Sequence, residues 1–299
     1  MIQFKKYLLF VTFICSSYTF ACINGVEKGL STGTTLYIDH EGLIPYGHEF
    51  WLNKENRDLE KLDSLYQVKP DVKYLTEKGI VLIVQKDYKN AIKLYLEIEK
   101  KTPNLYSTAS NLGTAYELAG DNENALKWIS RALEINPDSH NKSEWIHVNI
   151  LKIKLEQLQF LPEKLIGVDF GEENFPQSKL SKQEIEALIK QMYFQINERI
   201  SFVKPKDDIM AQLLFEYGNL LLLDNKKTEA NEVYNMAIKY GFNSSLIQER
   251  LELSNVDEKS TKNNVLDFLK SNWDTILITV LAILIFYFVF KAKERKNRN

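Results

Sequence analysis

The chain has 299 residues, of which 44% are hydrophobic, and it contains only 12 glycines and 7 prolines. This composition excludes a disordered or collagen-like chain and predicts one or two packed domains. The formal net charge is −2, but both ends are basic, so residues 22–290 carry a net charge of −8. Because this acidic body has no basic face, we expect no nucleic-acid partner.

Residues 1–21 have the three-part build of a secretory signal peptide. Two lysines precede an apolar run, and the segment ends with small side chains at Thr19 and Ala21, which predicts cleavage before Cys22. An uncleaved membrane anchor is one alternative. Lipidation of Cys22 is another, because a cysteine at the first mature position is the lipid acceptor in bacterial lipoproteins.

Residues 22–65 are predicted to form an irregular segment with short extended pieces, since glycines punctuate it repeatedly. Its two histidines, His40 and His48, each precede a glutamate and could hold a divalent metal in an enzyme. Gly42 and Pro45 prevent the two histidines from sharing one helical face, so an ordinary surface loop is favoured. The sequence also contains no nucleophile elbow, phosphate loop or CxxC motif. We therefore predict no catalytic residue, no metal, no cofactor and no enzymatic activity.

The region 66–253 contains a repeat with a spacing of 34 residues, and in each copy a glycine precedes an alanine by twelve residues. Small residues where two helices cross, followed by a proline after the second helix, are typical of a helical hairpin. The repeated positions are Gly79 and Gly113, Ala91 and Ala125, and Pro103 and Pro137, with Gly218 and Ala230 in a third copy.

The clearest copy spans residues 106–139. Its residues run Asn111-Leu-Gly-Thr-Ala-Tyr-Glu-Leu-Ala-Gly-Asp-Asn-Glu-Asn-Ala-Leu-Lys127, followed by Ala132 and Asn136-Pro137. This segment closely resembles the tetratricopeptide repeat consensus, although Ala109 stands where that family usually has tryptophan. The resemblance also covers residues 72–105 and 211–242.

The resemblance implies an all-α fold, namely a tetratricopeptide-like array of helical hairpins, or α-solenoid. The glycine pattern of residues 22–65 adds an irregular N-terminal segment that contains short strands. In this family the groove made by the first helix of each pair usually binds a protein or peptide. A weaker similarity, in the segments that start at Cys22 and at Ser143, is to an uncharacterised group of bacterial secreted, membrane-anchored repeat proteins.

Directly after the copy at 106–139, a further hairpin is predicted to begin near His140. Residues 144–156 have the apolar spacing of its first helix. His147 stands in the column of the repeat glycines, so we interpret it as a packed or substituted core position rather than a catalytic base. The second helix of this hairpin is missing from the pattern. Residues 161–176 instead predict a loop or a short pair of strands.

A capping box at Ser181 and Glu184 predicts the start of a long helix, whose apolar stripe runs from Ile185 to Ile200 and packs on the array. After the hairpin at 211–242, a short helix at 245–253 is predicted to cap the array.

The C-terminal part is predicted to be a linker at 254–272, a transmembrane helix at 273–290 and a basic tail at 291–299. The fifteen apolar residues 276–290 rise about 22 Å, and flanking residues extend this span toward the roughly 30 Å of a bilayer core. A buried core helix is the alternative. The basic tail favours the cytoplasm. We therefore expect a single-pass protein of the bacterial inner membrane with a periplasmic, or extracytoplasmic, helical body.

One face of each first helix carries small polar residues in the middle and apolar residues at the flanks, which favours binding of an extended peptide or a helix. The candidate groove residues are Lys73, Thr76, Ile80, Ser107, Ser110, Thr114, Glu117, Asn141, Glu144 and Val148. The predicted function is a membrane-anchored scaffold for protein–protein interaction outside the cytoplasm. The alternatives are a metal-dependent enzyme that uses His40 and His48, and an obligate subunit of a membrane complex with the stripe from Ile185 to Ile200 partly exposed.

Overall fold

Helices make up most of the described chain. The computed structural model describes residues 27–39, 41–52, 57–156 and 162–255. Two short antiparallel strands, β1 (Glu27–Gly29) and β2 (Thr35–Ile38), lie near the N-terminus. The helices of the described residues are α1 (Arg57–Val68), α2 (Val72–Val84), α3 (Tyr88–Lys101), α4 (Tyr106–Leu118), α5 (Asn122–Ile135), α6 (Ser139–Lys142), α7 (Glu144–Glu156), α8 (Pro162–Ile166), α9 (Lys182–Phe202), α10 (Asp208–Leu223), α11 (Lys227–Tyr240) and α12 (Ser245–Ser254).

Two helical hairpins, α2–α3 and α4–α5, fall within the predicted repeats 72–105 and 106–139. A third hairpin, α10–α11, begins three residues before the predicted repeat 211–242 and ends within it. Each turn contains a residue with positive φ, which is Lys86, Gly120 or Asn225. In the first two hairpins the next residue is an aspartate, Asp87 or Asp121, whose side chain accepts from the backbone N–H three residues later. This N-cap satisfies an otherwise free donor and starts the second helix.

The repeat glycines lie where the two helices of a hairpin cross, as the sequence predicted. An added Cβ would lie 2.3 Å from the Tyr95 ring at Gly79, 2.5 Å from the Ile129 side chain at Gly113, and 2.4 Å from the Tyr234 ring at Gly218. Glycine is therefore needed because a large side chain of the second helix occupies the space at each crossing.

Two boundaries differ from the sequence-based expectation. Residues 22–65 were expected to be irregular, but α1 begins at Arg57, because Leu62 joins the core of the first hairpin. The loop or strand pair expected at 161–176 begins instead with α8, whose Leu165 and Ile166 are buried; residues 167–181 then have no regular structure.

The long helix α9 begins at the predicted capping box, in which Ser181 and Glu184 each bond the other's backbone N–H. Its apolar stripe is buried in the chain's own core, together with residues of α7 and α10. The buried stripe residues are Leu188, Ile189, Met192, Ile196 and Ile200, and Ile185 is half-buried. The stripe therefore packs on the array, as predicted, and the alternative in which it is partly exposed for docking onto a membrane complex is wrong.

Within the described ranges, no helix is both long and apolar enough to cross a membrane. The predicted signal peptide at 1–21, the transmembrane helix at 273–290 and the tail at 291–299 all lie outside those ranges, as does most of the predicted linker.

Glu216 of α10 is buried in the last hairpin, with 2% of its surface exposed. Burial raises its pKa from the ordinary 4.5 to about 7, although hydrogen bonds from Asn219 and Gln212 and the charge of Arg250 oppose the rise. Between these two pH values the folded chain keeps a proton that the unfolded chain has lost. Stability therefore falls as the pH rises through this window, and the loss is complete above pH 7.

We predict that Gly79→Ala lowers the free energy of unfolding by about 1–3 kcal/mol, because the new methyl group meets the Tyr95 ring, which is held by a hydrogen bond from its hydroxyl to the Thr76 carbonyl at 2.9 Å. Chemical denaturation measures the difference. Gly29→Ala is the control, since a Cβ there meets no atom of the described residues within 4 Å. Equal stabilities of the two variants would contradict the close crossing.

Glu216→Gln should raise the free energy of unfolding by about 1–3 kcal/mol at pH 8 and change it little at pH 4, because the variant has no buried charge to form. Denaturation curves at both pH values test this. The control is Glu97→Gln on the exposed side of α3, for which we expect no change at either pH. An effect of Glu216→Gln that is independent of pH would argue against the titration.

Candidate functional site

The predicted groove residues fall into exposed and buried sets. Lys73 and Asn141 are exposed, and Ser107 and Glu117 are half-buried. The remaining six have no more than 8% of their surface exposed. These are Thr76, Ile80, Ser110, Thr114, Glu144 and Val148. The prediction of an open groove is thus corrected, because this face is largely covered by other parts of the same chain.

An N-terminal strap, defined as residues 27–39 and 41–52, covers the first hairpin. Its buried Leu30 and Leu36 belong to the same apolar cluster as Ile80. The backbone N–H and hydroxyl of Ser31 donate to the Glu77 carboxylate at 2.8 and 3.0 Å. The strap therefore occupies the space in which the α2 part of the groove was expected to bind a partner.

The strap also reaches the last hairpin. The backbone N–H of Gly47 donates to Asn197 Oδ1 on α9 at 2.8 Å, and the Tyr217 hydroxyl of α10 donates to the Leu43 carbonyl at 2.8 Å. The Tyr46 hydroxyl donates to Glu232 on α11 at 2.6 Å. The strap thereby ties the first hairpin to the last and fixes their relative positions.

His48, a candidate for the metal alternative, has a packing role in the strap. Its ring lies 4.0 Å from the Tyr37 ring, centroid to centroid, and its Nδ1 lies 2.8 Å from Asp39 Oδ1. The described residues contain no group of three histidine, cysteine, aspartate or glutamate side chains that could hold a metal ion. The other candidate, His40, lies outside the described residues.

Helix α9 covers the face formed by α4 and α7. Its Gln195 donates to the Ser143 hydroxyl at 3.0 Å, and Trp145 of α7 donates to Gln191 at 3.0 Å. Near the end of α9, Arg199 reaches Glu117 on α4. This helix therefore lies where the middle of the groove was expected to be open.

A single carboxylate joins the three helices α4, α7 and α9. Arg199 Nη2, Lys154 Nζ and His147 Nε2 each lie 2.6 Å from an oxygen of Glu117, whose side chain is 7% exposed. Burial alone would raise the pKa of Glu117, but Arg199, His147 and Lys154 outweigh it and hold that pKa well below the usual range. Glu117 is therefore ionised, and its charge holds α9 against the hairpins.

A second buried carboxylate, Glu144, begins α7. The Tyr106 hydroxyl donates to its Oε1 at 2.8 Å, and His140 contacts the same oxygen. Burial would raise the pKa of Glu144, but His140, His147 and the Tyr106 hydroxyl lower it overall. Glu144 is therefore a structural ion, which corrects its expected role as a groove contact.

Sequence reasoning singled out Glu117 and placed His147 correctly in a packed position, but it missed Lys154 and Arg199. A signal for Arg199 was present, because this arginine lies inside the apolar stripe of α9, next to Ile200. A charged residue at a buried position requires a counter-charge. The sequence could not show that the counter-charge comes from α4, since 82 residues separate Arg199 from Glu117.

The face between α4, α7 and α9 is not completely filled. A cavity of about 210 Å³ remains beside the Glu117 cluster. Its lining residues are Thr114, Glu117, Leu118, His147, Lys154, Gln195, Glu198, Arg199, Phe202 and Val203. Thr114 and Glu117 are the two predicted groove residues that line this cavity.

The described residues form a tetratricopeptide-like array of helical hairpins whose groove face is filled largely by its own chain. No protein-family model matches the sequence, and no curated protein matches it.

Two solved structures are similar to the chain. One is a tetratricopeptide repeat protein from Parabacteroides merdae ATCC 43184, with 17% identity and a TM-score of 0.32 over 66% of this chain and 90% of the other. The second is a chain in the structure of Naa15/Naa10 bound to HypK-THB, with 14% identity and a TM-score of 0.28 over 73% of this chain and 33% of the other. Because both TM-scores are low, the description of the fold rests on the helix pairs and the 34-residue repeat.

Glu117→Gln should lower the free energy of unfolding by about 3–5 kcal/mol at neutral pH, because Arg199 and Lys154 then lose their buried counter-charge. Because the folded-state pKa of Glu117 is lowered, its contribution is present above the ordinary value of 4.5 and is lost as the pH falls through the folded-state pKa. The difference between variant and wild type should thus be present at neutral pH and shrink in strong acid.

The matched control is Glu134→Gln, which removes an exposed ion pair with Arg131 at 2.7 Å and should cost less than about 1 kcal/mol. Denaturant titrations across this pH range provide the measurement. Similar losses for the two variants would show that Glu117 does not hold the helices together.

Proposed function

We propose that the protein is a membrane-anchored scaffold whose helical body lies outside the cytoplasmic membrane and binds a protein partner there. The observation that carries this proposal is the array of hairpins whose first and last members are tied by the strap and by α9. The signal-peptide pattern, the apolar run at 273–290 and the basic tail support the membrane position.

The tied array favours a rigid body. An untied solenoid bends between neighbouring hairpins, since each repeat contacts only its neighbours. Here the strap spans from Glu77 on α2 to Glu232 on α11. A rigid surface loses little conformational entropy on binding, so the scaffold is suited to a partner that matches its existing shape.

The surface that remains open along the groove face is its edge. Lys73 and Ser107 lie in the first turns of α2 and α4, Asn141 lies in α6, and all three are exposed or half-buried. We infer that the partner contacts this edge, because the central residues are covered by the strap and α9. Neither the metal-dependent enzyme nor the subunit of a membrane complex gains support. His48 already contacts Asp39, and the apolar stripe of α9 is buried in the core.

We predict that photo-crosslinkers at Lys73, Ser107 and Asn141 in intact cells capture the same partner protein. A crosslinker at Glu123, which is exposed on the second helix α5, is the control and should not capture it. Identification of the crosslinked bands is the measurement. Capture of no protein from the three edge positions, or the same capture from Glu123, would contradict the proposal.

The membrane position is tested in intact cells that carry a C-terminal tag on the chain. An external protease added to spheroplasts should digest the helical body and spare the tag. A chain that ends at Asn255 should no longer be found in the membrane fraction. A protected body or a digested tag would contradict the proposed orientation.

A further inference from the structure

The cavity between α4, α7 and α9 is lined by both polar and apolar residues. The apolar lining residues are Leu118, Phe202 and Val203. Lys154 and Arg199 contribute charged N–H donors to the lining. A volume of about 210 Å³ suits a small organic molecule or a single large side chain.

N–H donors exceed acceptors in this cluster. The guanidinium of Arg199 turns Nη1 and Nη2 toward Glu117, at 3.4 and 2.6 Å. Its buried Nε has no hydrogen-bond partner among the described residues. Lys154 has three N–H donors and uses one for Glu117, at 2.6 Å. The side chain of Arg199 is 8% exposed and that of Lys154 is 25% exposed, so Lys154 is the donor that an entering group meets first.

The formal charges of the lining residues balance, because Glu117 and Glu198 oppose the two cationic side chains. Both oxygens of Glu117 already accept from Arg199, Lys154 and His147, so the preference for an acidic ligand rests on the N–H donors that are left over and not on net charge. Glu198 also lines the cavity, but it is half-buried and its charge opposes an entering anion. Glu198 therefore weakens such a ligand without abolishing the site.

We propose that this cavity binds a small monocarboxylate with an apolar body. The carboxylate accepts hydrogen bonds from Lys154 and Arg199, which are stronger than bonds between neutral groups. The apolar body lies against Leu118, Phe202 and Val203. This proposal goes beyond the scaffold function and does not depend on it.

Binding of 3-phenylpropanoate to the full chain in detergent tests the site, with 3-phenylpropan-1-ol as the neutral probe. Titration calorimetry should show the acid binding at least about tenfold more tightly than the alcohol. Lys154→Met should weaken binding of the acid by about tenfold or more, while Lys152→Met, an exposed position on α7, should leave it unchanged. Equal binding of both probes, or no binding of the acid at about 10 mM, would overturn the proposal.

If Lys154→Met fails to fold, binding of the acid and of the alcohol to Glu198→Gln provides the test. Removal of this opposing charge should strengthen binding of the acid several-fold and leave the alcohol unchanged; weaker or unchanged binding of the acid would overturn the proposal.

The carboxylate could also come from an acidic side chain of a protein partner, and the crosslinking strains distinguish this source. If the wild-type chain binds the free acid and Lys154→Met cells lose the crosslinked partner, the site takes an acidic side chain of the partner. If the wild-type chain binds the acid and crosslinking in Lys154→Met cells is unchanged, the site takes a free acid. Either result supports the site.

Discussion

Tight packing inside each helical hairpin holds the array together. At Gly79 and Gly218 an aromatic ring of the second helix occupies the place of a β-carbon, and at Gly113 an isoleucine does so. This packing fixes the two helices of each hairpin against one another, and α2 also contacts α4. The strap and α9 then pack against hairpins that are held in this way.

The chain covers this face by two different means. The strap combines a few buried apolar side chains with hydrogen bonds to polar residues of distant helices, such as Asp58 and Asn197. Helix α9 instead uses a buried apolar stripe and one charge cluster around Glu117. Removing one member of a buried ion cluster costs far more than breaking an exposed pair, so Glu117 couples α4, α7 and α9.

These interactions change how the candidate site is understood. If each first helix is considered alone, Thr76, Ser110 and Glu144 face solvent as groove residues. In the folded chain all three are buried. Their burial leaves an exposed edge and a small cavity as the accessible parts of the face. A rigid body with these openings fits a scaffold that binds without a large change of shape.

The hairpins, their glycine crossings and the capping box of α9 could be predicted from the amino-acid sequence, because each depends on residues within about one repeat of each other. The packed position of His147 could also be predicted, from its place in the glycine column. That the strap and α9 fill the groove is visible only in the folded chain. Arg199 meets Glu117 across 82 residues, and Gly47 meets Asn197 across 150. No periodic pattern records such contacts, because helical periodicity shows which face of a helix is buried but not which distant segment covers it.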